Sequence, residues 1–263
     1  MEYEGLLLEK KGYVAVITLN IPEKLNPLTK KTIMSLARVT NDIALDDEVR
    51  VVIVTGAGRG FCSGADVSAM TNPESVYASR FERIQVTGYP HADAFPRLNK
   101  PVIAAINGPC VGGGFSLALS CDIRIAADTA KFGLSQVARG LVPDYGMTLY
   151  LPILIGVSRT FELIYTAEII DAEEAKKLGI VSRVVPGEQL MTAAMELANK
   201  IAQQPPFSLE LSKKIIWRSL LDNLSRQLDL ESLAFQICIG TEDHRKSVQA
   251  FLNKQPPPKF TGK

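Results

Sequence analysis

The chain has little of the chemistry that builds metal or redox centres. Only two histidines occur in 263 residues, His91 and His244, far apart in sequence. The four cysteines, Cys62, Cys110, Cys121 and Cys238, form no C-x-x-C pair. That spacing argues against a structural zinc site and for reduced thiols. No apolar run reaches the roughly 18 residues of a membrane span, and Met1-Glu-Tyr-Glu4 has neither the basic start nor the apolar centre of a secretory signal. Net charge is nearly absent too. At +1, no sequence-wide basic field recruits nucleic acid or an anionic membrane, and a polyanionic ligand would have to be held by local groups. The expectation is a cytoplasmic protein with no metal, no nucleic-acid partner and no membrane partner.

What the chain does have is alternation of strand and helix. Hydrophobic residues make up 46%, enough for a substantial core in one large or two small domains. Leu6–Glu9 and Val14–Leu19 read as a hairpin around Lys10-Lys-Gly12. A helix follows, capped by Thr29 or Asn26, with Ile33, Leu36, Ala37 and Ile43 at helical spacing. The short apolar runs Val51–Val54, Pro101–Ile106 and Ile123–Ala126 suit strands buried on both faces of a largely parallel sheet. The glycine-rich stretch opens a short helix, about Gly113–Ser120. From about Ser158 onward the pattern predicts helices only: Ala172–Leu178 capped by Asp171, Glu188–Gln203, Pro206–Leu221, and Asn223 to about Leu252 with a break at Gly240. The expected fold class is α/β, with a core over residues 1–200 and a helical region over 201–263.

Glycines at 56, 58 and 60 after Val51-Val-Ile-Val54 imitate a dinucleotide loop. The third glycine comes one residue too soon, and Phe61-Cys-Ser-Gly-Ala-Asp66 has no helical period, so the spacing argues against a nicotinamide or flavin site. No G-K-[ST] follows either glycine cluster, which excludes a P-loop. Small residues in Phe61-Cys-Ser-Gly-Ala-Asp-Val67 and in Asn107-Gly-Pro-Cys-Val-Gly-Gly-Gly-Phe-Ser-Leu117 let backbone N–H groups approach a ligand closely. Read alone, each cluster is equally a tight strand-to-helix turn.

Both clusters in this order, with Asn107-Gly108 and Cys121-Asp122 flanking the second, resemble the enoyl-CoA hydratase/isomerase (crotonase) family from about Leu6 to the C-terminus. The resemblance implies a spiral of ββα units followed by a C-terminal helical trimerisation region. It also implies an acyl-CoA thioester substrate, with coenzyme A as part of that substrate and no separate cofactor. The backbone N–H groups of Ala65 and Gly113 would form an oxyanion hole, each donor worth about 3–4 kcal/mol to a developing enolate. Lys24, Leu25, Ser63, Asp66, Val67 and Gly112 fall on segments that hold coenzyme A in the family. The ending Thr241-Glu-Asp-His-Arg-Lys246…Ala250-Phe-Leu-Asn-Lys254 implies a trimer, or a dimer of trimers, in which Phe251 and Lys254 reach a neighbour's coenzyme A.

Hydratases of this family use two glutamates, and the matching positions here are Ser116 and Gln136. Gln136 can orient a group but takes no proton, and a serine hydroxyl needs a base of its own. Asp144, in Gly140-Leu-Val-Pro-Asp-Tyr-Gly146, stands where isomerases of the family carry an acid. Burial among Val142, Pro143, Tyr145 and Met147 would make it a stronger base than an exposed aspartate. Its competing reading is a cap on the following helix, since aspartate is a favoured N-cap. Asp66 is expected to brace its loop, and Asp122 to cap or to pair with Arg124. Cys110 has no histidine near it in sequence, and Phe81, Tyr89 and Phe95 are acyl-pocket candidates, although aromatic residues at helical spacing are more often core. The expected activity is a shift of a 3-enoyl-CoA double bond to the 2,3 position. The alternatives are an enoyl-CoA hydratase, a ring-modifying or dehalogenating acyl-CoA enzyme, and a non-catalytic coenzyme A- or RNA-binding protein.

Overall fold

The computed structural model describes residues 3–67 and 92–263. His91, Phe81, Tyr89 and most of the segment 75–98 lie outside the described residues.

Strands β1 (Leu6–Lys11) and β2 (Val14–Leu19) form the expected antiparallel hairpin. Gly12 turns it at φ 61°, a left-handed conformation that glycine adopts without penalty. Helix α1 (Lys30–Ala44) is capped by Thr29, whose side chain accepts from the Thr32 N–H, and it buries Leu36, Val39 and Ile43 along one stripe. Strands β3 (Val51–Gly56) and β4 (Val102–Ile106) are buried at every residue, as continuous apolar runs in a parallel sheet should be. Between them the described chain holds α2 (Ala94–Arg97).

A repeated chain path then appears. Strand β4 leads to the short β5 (Pro109–Val111) and helix α3 (Gly113–Leu119), and β6 (Ile123–Ala127) leads to the short β7 (Lys131–Gly133). Strands β4 and β6 join a six-stranded sheet and β5 and β7 a three-stranded one, so each of these two turns adds a strand to both. Helices α4 (Met147–Ile155) and α5 (Val157–Thr166) follow. Strand β8 (Ile169–Asp171), helix α6 (Ala172–Lys177) and strand β9 (Arg183–Val185) complete the two sheets. The helices-only expectation after Ser158 is therefore corrected by β8 and β9. With three residues each, they are too short for alternation to register, and only their pairing with β7 and β6 defines them.

Helix α7 (Leu190–Ala202) covers the second face of the large sheet. Leu190, Ala194, Ala198 and Ala202 recur every four residues and are buried there, and the small side chains let the helix lie close to β3 and β4. The region expected as two helices, Pro206–Leu221 and Asn223 onward, is one unbroken helix α8 (Pro206–Ile239). Asp222 and Asn223 are poor helix formers, but Trp217, Leu224 and Leu228 are buried on either side of them. Packing outweighs a propensity cost of about 0.7 kcal/mol or less per residue. Gly240 ends the helix as expected, and α9 (Glu242–Leu252) starts from the Thr241 cap.

Helix α8 is tied to the sheet by Asp122. Its Oδ1 accepts from Trp217 Nε1 at 2.7 Å, and its Oδ2 accepts from the Val102 N–H at 2.7 Å and meets Lys213 Nζ at 2.8 Å. The pairing of Asp122 with Arg124 is thus corrected: the partner is Lys213, while the Arg124 guanidinium donates to the Ile180 and Cys121 carbonyls at 2.6 Å. No helix among the described residues is long and apolar enough to cross a membrane.

Candidate active site

The imitation dinucleotide loop is a packing device. Gly56 and Gly108 have no space for a side chain, since a Cβ would collide with the carbonyl oxygens of Gly60 and Arg59 respectively. Two side-chain amides stitch this loop, that of Asn26 buried and that of Asn107 half-buried. Asn26 Nδ2 donates to Gly60 O at 2.8 Å and to Ala57 O at 2.9 Å, while its Oδ1 accepts from the Ile21 N–H at 2.9 Å. Asn107 Nδ2 donates to Gly56 O and Gly58 O, both at 2.9 Å. Asn26 thus braces rather than caps, and it holds a left-handed φ of 56° that asparagine tolerates better than most residues.

That stitching places the first donor loop. Ser63 N–H donates to Leu25 O at 2.9 Å, Ser63 Oγ donates to Lys24 O at 3.1 Å, and Leu28 N–H donates to Gly64 O at 2.7 Å. Asp66 meets Lys24 at 3.5 Å, which agrees with a bracing role, and Lys24 is 60% exposed beside it. The second loop lies directly against the first. Val111 N–H donates to Cys62 O at 3.0 Å, and a Cβ on Gly114 would strike that same carbonyl. A Cβ on Gly113 would sit 3.9 Å from the Ala65 nitrogen. The two expected donors are therefore neighbours, and the Gly113 N–H stands at the first position of a helix, ahead of the Phe115 and Ser116 N–H groups that bond Gly112 O, where no preceding turn supplies an acceptor.

One pocket brings most of the candidates together. Ser63, Ala65, Val67, Gly112, Gly113, Gln136 and Asp144 line it, with Leu28, Ser135, Arg139, Leu141, Tyr145 and Phe235. Asp144 is buried, at 7% exposure, and accepts from Gln136 Nε2 at 3.1 Å on Oδ1. Gln136 Oε1 is buried without a protein partner. Ser116 lies behind the wall, and its hydroxyl donates to the Asp144 carbonyl oxygen at 2.7 Å. Lys24, Leu25, Asp66, Ser116, Phe251 and Lys254 are not in the lining. Phe251 stacks under the Arg139 guanidinium of its own chain, 3.9 Å from ring centroid to Cζ.

The helix-cap reading of Asp144 is corrected. Gly146 occupies the N-cap of α4, with no side-chain cap of its own. The carboxylate that serves this helix start is Glu231 on α8: Oε2 accepts from Gly146 N–H at 2.8 Å, and Oε1 accepts from Thr148 N–H at 3.0 Å and from the Thr148 hydroxyl. Burial raises the Glu231 carboxyl to about 7, against the opposing pull of these hydrogen bonds. Burial also pushes the Cys62 and Cys121 thiols up to about 12 and the Cys110 thiol well above its usual value. None of the three is a thiolate nucleophile at neutral pH.

Glu231 is absent from the sequence-based candidates because its partners are backbone groups more than 80 positions upstream. One local signal exists. Leu224, Leu228, Glu231 and Phe235 share the buried stripe of α8, and an acid on such a stripe must find donors.

Two interlocked sheets wound from one spiral, with paired donor loops and a buried carboxylate in a single pocket, define a crotonase-type fold. The chain belongs to the enoyl-CoA hydratase/isomerase family, whose model matches residues 9–263. It is 41% identical to the short-chain-enoyl-CoA hydratase of Clostridium acetobutylicum over 256 residues, 97% of each chain. It is 38% identical to the 1,2-epoxyphenylacetyl-CoA isomerase of Escherichia coli over 264 residues, 99% of each. Among solved structures, an enoyl-CoA hydratase from Mycobacterium avium subsp. paratuberculosis superposes with a TM-score of 0.87 at 28% identity, covering 99% of this chain and 100% of that one.

Proposed function

We propose that this protein isomerises 3-enoyl-CoA thioesters to 2-enoyl-CoA, with coenzyme A entering as part of the substrate and no separate cofactor. One observation carries the reading. Asp144 is the one carboxylate among the described residues that line the pocket, and it shares that pocket with Ala65 and Gly113. A double-bond shift needs one base: Asp144 takes a proton from C2 and returns it at C4, so mass is conserved. Between the two transfers the negative charge rests on the thioester oxygen, where the N–H groups of Ala65 and Gly113 stabilise it. Gln136 orients the carboxylate through Oδ1.

Hydration needs a second acid–base group to activate or protonate, and positions 116 and 136 hold a serine committed to the Asp144 carbonyl and an amide. The hydratase names among the relatives therefore carry less weight here than the residues themselves. The similarity to 1,2-epoxyphenylacetyl-CoA isomerase favours a second reading, rearrangement of a ring-bearing acyl-CoA by the same single base. A panel of 3-enoyl-, 2-enoyl- and aryl-acyl-CoA thioesters, followed by absorbance and mass, separates these readings. Turnover of 3-enoyl-CoA without mass change supports isomerisation, and gain of water by crotonyl-CoA at a comparable rate refutes it.

For assembly we propose a trimer or a dimer of trimers. Phe207, Leu211, Ile215, Ile216 and Ile237 are exposed along α8, an apolar surface that association would cover. Light scattering at the 28.7 kDa chain mass, at micromolar concentration, would refute it.

A further inference from the structure

Asp144 stands at the entrance to an unfavourable piece of backbone. Tyr145 has φ 58° and Gly146 has φ 79°, two successive left-handed residues. For Tyr145 that conformation costs about 1–3 kcal/mol and persists only where the surroundings over-determine it. Tyr145 is also half-buried and packed against the core, so the loop cannot relax outward without exposing more of its ring. Two side chains hold the turn. The Ser116 hydroxyl fastens the Asp144 carbonyl on one side. On the other side Glu231, 3% exposed, spans Gly146 and Thr148 with both of its oxygens. Gln227, one turn earlier on α8, donates to the Thr148 hydroxyl at 2.6 Å and keeps it facing Glu231. One turn later on the same stripe, Phe235 enters the pocket.

We propose that Glu231 is a positioning residue for Asp144: by fixing the Gly146 and Thr148 N–H groups it holds the left-handed turn that aims the Asp144 carboxylate into the pocket. The proposal rests on Asp144 being the base. Glu231 touches no reacting atom and acts through the turn. Its hydrogen bonds go to Gly146 and Thr148 and not to the donor loops, so it governs proton transfer and leaves thioester binding alone.

The test compares Glu231→Gln, Asp144→Asn and the double variant with wild type on a 3-enoyl-CoA substrate. Glutamine keeps the shape but has one acceptor oxygen where the carboxylate has two. The expected result for Glu231→Gln is a kcat at least tenfold lower with KM within twofold. The absorbance shift of a bound 2,4-dienoyl-CoA, which reports polarisation of the thioester by its donors, should be unchanged. In the Asp144→Asn background the same change should cost little further rate, because two residues acting as one unit are not additive. Unchanged kcat in Glu231→Gln, or a loss confined to KM and the dienoyl spectrum, overturns the positioning role while leaving Asp144 as base. Wild-type turnover in Asp144→Asn instead removes the base itself. Should Glu231→Gln fail to fold, Thr148→Val deletes one donor to the same carboxylate, and a kcat loss of about threefold at constant KM is required of it.

Discussion

Replacing Asp144 by asparagine removes the ability to take a proton while disturbing little else. The side chain is buried and its Oδ1 accepts from Gln136 Nε2 at 3.1 Å, a bond that an amide oxygen accepts equally well. Helix α4 loses nothing, since its first N–H groups are served by Glu231. The backbone carbonyl of residue 144 still receives the Ser116 hydroxyl. Pocket geometry and coenzyme A affinity should therefore persist, and the loss should fall on the proton-transfer step. A positioned general base contributes about 10²–10⁴-fold, which is about 3–5 kcal/mol of barrier. The assay is formation of the conjugated 2-enoyl thioester by absorbance at saturating 3-enoyl-CoA, with substrate affinity measured separately. A folded variant at wild-type turnover would refute the reasoning. Asp144→Ala is the harsher change, because it leaves Gln136 Nε2 buried without its acceptor, at about 1–3 kcal/mol of stability.

Glu231 makes stability depend on pH in a defined direction. Its folded value is raised from 4.5 to about 7, so its contribution is fully present below about 4.5 and is lost as pH rises through about 7. Asp144 and Tyr150 are the titratable groups facing it from the base loop and from α4. The unfolding free energy of wild type relative to Glu231→Gln should fall by about 3 kcal/mol between pH 4.5 and 8; an equal difference at both pH values in denaturant titrations would contradict this. Gln136→Glu restores one of the two family carboxylates, and crotonyl-CoA hydration by that variant should stay at least a hundredfold below wild-type isomerisation. An efficient hydratase would mean that another group activates water. Asn26→Ala removes one acceptor and a donor that serves several buried carbonyls around Gly60, and it should lower stability by about 2–4 kcal/mol. Chemical denaturation within 0.5 kcal/mol of wild type would show that the glycine loop holds itself.

The long strands and the capped helices were legible because their signals are local. Val51–Val54 and Val102–Ile106 are unbroken apolar runs, and Thr29 and Asp171 accept from the N3 amides of the helices they cap. The donor loops were legible by resemblance, and the structure adds why glycine is required at 56, 108 and 114. The rest depended on partners distant in the chain. Strands β8 and β9 exist only through their neighbours, Asp122 chose Lys213 across 91 residues over Arg124 two positions away, and Glu231 found its donors 85 and 83 positions upstream. No window of sequence contains both halves of such an interaction.

Helix α8 carries three fastenings on one face: Lys213 and Trp217 to Asp122, Glu231 to the base loop, and Phe235 to the pocket. As the chain leaves the ribosome, the spiral and both donor loops are complete before any of these residues appear. The pocket is thus finished last, by a segment that contributes to neither sheet. A spiral that folds without docking α8 would present its donors to water with an unanchored base loop. Recovery of activity on refolding should therefore follow the docking of this helix, later than the formation of the sheets.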